Sequence, residues 1–226
     1  MVRTHTRLVD FRRLLLRGDS AALPLKLMVA CNDMQLANEA LGVWKKPQPP
    51  SKAGRAEGAR AYFVRLQAAH LCEALGIIED ILKSDELMEF IEGCDQQTRD
   101  SLDALRPYLR GGEKHQWFIN NVVLLRNNLT FHYDSSGKRT MRALAHRASS
   151  EASRFSTITR GSTAFLWHFR PADDIVDSIF VRQIWNVPDD ADIRSAVDEV
   201  LAEIHAIFLK LTDFSGEFLW RYGAEQ

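Results

Sequence analysis

The stretch EKHQWFINNVVLLRNNLTFHYD, residues 113–134, sets Phe118, Val122, Leu125 and Leu129 at steps of four, three and four. That is the period of an α-helix with one buried stripe. The predicted helix starts near Glu113 and stops near Asp134, where Ser135, Ser136 and Gly137 break it. With Leu125 at zero on a wheel of ~100° per residue, Arg126 falls on one border of the stripe and His132 on the other.

The same period recurs on both sides of this stretch. From Ser20 it runs through Leu27, Cys31, Met34 and Leu41 to Trp44, with Pro24 in an early turn. Pro47, Pro49 and Pro50 then mark residues 45–54 as a linker. A long helix is predicted over 55–83, carrying Val64, Leu71, Ala74, Leu75, Ile78, Ile81 and Leu82. Shorter ones follow over 85–91 and 96–109, ended by Pro107 and the Gly111-Gly112 pair. Beyond Pro188 a stripe from Ile193 through Ile204, Leu211, Phe214 and Phe218 reaches almost to the end. Between them, 139–149 reads as helix, 155–169 as a small β-hairpin around Arg160-Gly161-Ser162, and a short helix follows Pro171. The expectation is a mainly all-α antiparallel helical bundle in one domain spanning 1–226. Its core falls at about 20–134 and 188–222, and 135–187 is an inserted basic excursion.

A formal net charge of -1 hides a strong asymmetry. Residues 136–170 hold seven Lys/Arg against Glu151 alone, while 171–226 hold twelve Asp/Glu against four Lys/Arg. Cys31, Cys72 and Cys94 are odd in number and lack a C-x-x-C pair, which fits reduced structural thiols better than a disulfide framework or a zinc site. The short Leu14-Leu15-Leu16 run is not a signal core, and no apolar stretch approaches a membrane span. A cytoplasmic location without membrane association is expected.

The chemistry gathers at the end of the opening helix. Arg126 is a permanent cation whose planar fork fits phosphate oxygens, Asn127 an adjacent amide, and His132 an imidazole that exchanges protons near neutrality. An Arg, a polar residue directly after it, and a His after five intervening residues, in a helical context, resemble the signature of the HEPN superfamily. Tyr133 follows His132 directly, where the toxins paired with nucleotidyltransferase antitoxins carry a tyrosine one residue further on. The resemblance implies a helical bundle, dimerisation with the active site at the interface, and RNA cleavage without metal or cofactor. It also implies a role as a toxin with a cognate antitoxin, or as an antiviral defence effector. Arg126, His132 and Asn127 are then the catalytic residues. An isologous dimer along the seam that includes Leu125 and Leu129 would bring two such sets to one cleft.

Lys138, Arg139 and Arg142 begin just beyond His132 and can extend a phosphate-binding surface for RNA. Phe155, Phe165, Trp167 and Phe169 are either stacking platforms for unpaired bases or the buried face of the hairpin, with the cations paired to the acidic C-terminal part. His70 and Glu73 read as a solvated helix face rather than metal ligands, and His115, His146, His168 and His205 share no spacing that makes a site. The alternative to a ribonuclease is a non-catalytic helical protein-interaction module whose polar pair only stabilises a helix end.

Overall fold

The computed structural model describes residues 5–130, 136–151, 154–160, 162, 168–188 and 191–224. Nearly all regular structure is helical: α1 (Phe11–Leu16), α2 (Ala22–Lys45), α3 (Pro50–Ala53), α4 (Ala56–Ile81), α5 (Asp85–Glu92), α6 (Gln96–Leu105), α7 (His115–Phe118), α8 (Lys138–Ser149), α9 (Arg170–Ser178) and α10 (Ile193–Tyr222). The mainly all-α class expected from periodicity is what is found. The proline-rich linker contains one unexpected turn, α3, because Pro50 is preset for a first helical position. The expected hairpin is present as β1 (Ile158–Thr159) and β2 (His168–Phe169), paired antiparallel with Ile158 opposite Phe169.

The chain forms two compact units. The first comprises residues 1–33, 70–116 and 205–226. Side chains start its helices: Ser84 Oγ accepts from Leu87 N–H at the head of α5, and Asp95 Oδ1 accepts from Thr98 N–H at the head of α6. The Thr98 N–H, and then the Thr98 side chain, hold Asp95 below the usual carboxylate range. After α6 the chain turns back so tightly that a Cβ on Gly112 would lie 2.3 Å from the Pro107 carbonyl oxygen, so only glycine fits. Leu27, Leu71, Ile78, Leu102, Leu105 and Phe214 are sealed in the core. Phe218 stacks on Phe214 at 5.4 Å and meets Phe90 edge-on at 5.7 Å. Arg7 and Arg17 lie over the rings of Trp220 and Tyr222 at 4.1 and 4.4 Å, which uses part of the basic N-terminus within the fold. All three cysteines are free thiols, and burial raises the pKa of Cys31 against the lowering effect of its Ser215 hydrogen bond.

The second unit comprises residues 34–69 and 117–204. Met34, Ala37, Leu41, Ala68, Phe118, Val122, Leu125 and Leu129 are buried in it. α8 packs on α9 and on the π-helical turn Ile179–Ile184 that follows α9. Two bonds tie that contact: Gln183 Nε2 donates to the Arg139 carbonyl at 2.9 Å and Arg139 Nη1 to the Gln183 carbonyl at 3.5 Å. β1 also packs on α9, which anchors the hairpin. Among the described residues, no helix is long and apolar enough to cross a membrane.

Candidate functional site

The helix that carries Arg126 is not the regular α-helix expected. α7 opens into a π-helical turn at Ile119–Val123, and after Leu124 and Leu125 a second π turn covers Arg126–Thr130. In such a turn an N–H reaches back five residues, as Leu124 N–H does to the Ile119 carbonyl, so carbonyls normally used four residues on are released. Two asparagine side chains also bond carbonyls of this helix. Asn121 Nδ2 donates to the Trp117 carbonyl at 2.9 Å and Asn128 Nδ2 to the Leu124 carbonyl at 2.7 Å. The Asn121 carbonyl in turn accepts from Trp185 Nε1 at 3.1 Å, which joins this helix to the chain after the Ile179–Ile184 turn. Both asparagines thus serve the backbone. Asn128→Ala is expected to cost about 1 kcal/mol by removing this bond to the Leu124 carbonyl, measurable as a lower urea midpoint at unchanged slope.

Asn127 is used differently. It is exposed, and its Oδ1 accepts from Arg126 Nη1 at 2.9 Å. Arg126 is half-buried with its Nε enclosed, as its place on the border of the stripe requires. Arg126 and Asn127 are therefore brought together, with the guanidinium held by a neighbouring amide. His132 lies outside the described residues, and so do Phe131, Tyr133, Asp134 and Ser135. The ~100° wheel applied to Arg126 and His132 assumed a regular α-helix, and a π turn advances less per residue, so that projection does not hold over 126–130.

The dimer seam needs correction. Leu125 and Leu129 are 0% and 3% exposed within the chain itself, so they offer no surface to a second copy. An apolar stripe looks the same in sequence whether its own chain or another covers it.

The basic segment divides sharply. Arg147 pairs with Asp174 at 3.2 Å, Arg154 with Glu151 at 3.0 Å, and Arg170 with Glu57 at 3.2 Å. Arg139 is committed to the Gln183 carbonyl. Lys138 and Arg142 are exposed and have no ion-pair partner among the described residues. Of the hairpin aromatics, the described Phe155 and Phe169 are 78% and 51% exposed, with the Arg154 guanidinium 4.6 Å from the Phe155 ring centre. Phe165 and Trp167 lie outside the described residues.

An ionisable cluster not read from the sequence forms where α9 meets α4. His168 Nε2 donates to Asp173 Oδ2 at 2.9 Å, and Ser156 Oγ to Asp174 Oδ2 at 2.5 Å. The Asp173 carboxylate lies so close to Gly58, in the first turn of α4, that a Cβ there would meet it at 2.3 Å. Beside them Asp177 has its pKa raised to about 6, chiefly by burial and then by the Asp173 charge, against the lowering effect of Arg65. Glu73 is exposed and His70 half-buried on α4. No group of three or more His, Cys, Asp or Glu among the described residues is placed to hold a metal ion.

No family model, curated protein or solved structure matches this chain.

Proposed function

We propose that the chain is a HEPN-type endoribonuclease, a cytoplasmic homodimer built on a helical bundle, acting as a toxin held by a cognate antitoxin or as an antiviral effector. One observation carries this reading: the Arg126 guanidinium is held at 2.9 Å by Asn127 in a π turn, next to the buried Leu125 and Leu129. π turns concentrate at functional sites, since their distorted backbone is kept only where something else over-determines it. In this reading Arg126 binds the scissile phosphate and neutralises the charge that grows on it, and Asn127 fixes the plane of the guanidinium. His132 moves the protons. RNA brings its own nucleophile, the 2′-hydroxyl, so attack on the adjacent phosphate gives a 2′,3′-cyclic phosphate and releases a 5′-hydroxyl strand. No metal or cofactor takes part in this scheme.

Substrate chemistry tests the scheme. Unmodified RNA is expected to be cut and the same sequence carrying 2′-O-methyl groups throughout to survive intact, a difference beyond a hundredfold. Equal cutting of both would exclude 2′-hydroxyl attack. The second reading, a helical interaction module, is favoured by Leu36 and Val43, which lie seven residues apart on α2 and are 63% and 57% exposed. It expects neither RNA to be cut.

A further inference from the structure

We infer that the open groove along the start of α8 is where the phosphate backbone of single-stranded RNA docks, with Lys138 and Arg142 on phosphates and Met141 beneath a base. This rests on the ribonuclease reading and adds to it the strand state of the substrate and the side chains that hold it. The shallow groove has a volume of about 480 Å³ and is lined by Ser136, Gly137, Lys138, Met141, Arg142 and Ala145.

Charge complementarity selects an anionic partner. Four other cations of α8 and the hairpin region are used within the fold: Arg139 on a carbonyl, Arg147, Arg154 and Arg170 on carboxylates. Lys138 and Arg142 have no ion-pair partner among the described residues and both line the groove. Lys138 also stands where a cation is least welcome. It is the first residue of α8, whose first turn contains no acid, so its charge adds to the positive end of the helix dipole. An approaching polyanion relieves that arrangement, whereas a neutral or basic partner does not.

Helix geometry then distinguishes a single strand from a duplex. Lys138 and Arg142 are four residues apart on one row of α8, separated by ~6 Å along the axis, a step suited to neighbouring phosphates of an extended strand. Met141 and Ala145 form the next row, and Met141 is 62% exposed. A row of cations beside an apolar row fits a chain with phosphates on one edge and accessible base faces on the other. An A-form duplex hides those faces in its stack.

The test uses the full chain carrying His132→Ala, which prevents turnover, and a fluorescein-labelled twelve-nucleotide oligouridine followed by anisotropy. Adding Lys138→Ala and Arg142→Ala is expected to weaken binding roughly tenfold and to flatten the dependence of log affinity on log salt by about 1.4, at ~0.7 per lost contact with a single strand. Met141→Ala should weaken binding with no change in that slope. Both cations are exposed and the α8 residue that is buried is Ala143, so circular dichroism should show the same helix content in all variants. Unchanged affinity and slope in the double variant would overturn the inference. So would an RNA duplex or polyglutamate binding as tightly as the oligouridine, or no binding by the parent. The two readings fail separately: groove-dependent binding without cleavage by the unmutated chain removes the ribonuclease alone, and cleavage with unaltered KM in the double variant removes the groove alone.

Discussion

Arg126→Ala is expected to lower RNA cleavage by roughly 10²–10³-fold, the usual effect of removing one preorganised donor from a developing oxyanion. Most of the loss should fall in kcat, because the guanidinium gains more from the charge of the transition state than from that of the resting phosphate. Arg126→Lys separates charge from shape. The ammonium keeps the cation but cannot offer a planar fork or the same bond to the Asn127 oxygen, so most of the loss should persist. Asn127→Ala leaves the guanidinium in place and frees its plane, for a smaller loss of about tenfold. Single-turnover cleavage by the variants checks this order. Full activity in Arg126→Lys would mean that any positive charge suffices, and full activity in Arg126→Ala would remove the residue from the mechanism.

Asp177→Asn is expected to stabilise the protein near pH 7.5 and to leave it almost unchanged near pH 4. Burial and the Asp173 charge raise the Asp177 pKa from 3.8 to about 6, against Arg65, with Asp174 and Glu57 raising it further. Between those values the folded chain holds a proton that the unfolded chain has lost, so stability falls as pH rises through the window. Above it, the ionised carboxylate carries its full cost, on the order of 2–3 kcal/mol before any relaxation of the site. An amide of nearly the same shape avoids the charge, and for a chain of this size each kcal/mol shifts Tm by about 2–4 °C. Melting curves at the two pH values check it. Equal destabilisation at both would show that the Arg65 attraction outweighs burial.

The fold was legible where one physical cause dominates. The stripe Phe118, Val122, Leu125, Leu129 and the long run ending in Phe214 and Phe218 must be helical to be buried together, and they are. The π turns were not legible from that stripe, because the apolar spacing survives them. Their signal was polar: Asn-Asn pairs at 120–121 and 127–128 occupy the same two positions of each π turn, and the second asparagine of each pair bonds the carbonyl four residues before it. The cluster at Asp173, Asp174 and Asp177 could not be seen, since Glu57 and Arg65 reach it from more than a hundred residues away. Nor does composition reveal which cations of a basic segment are neutralised. Arg147 and Lys138 read alike until Asp174 is placed beside the first.

The most direct measurement is cleavage of RNA by the purified chain in excess chelator, beside Arg126→Ala and His132→Ala prepared identically. Cutting by the unmutated chain, fragments ending in a 2′,3′-cyclic phosphate, and loss of both in either variant are expected. Equal traces from all three proteins would contradict the ribonuclease reading.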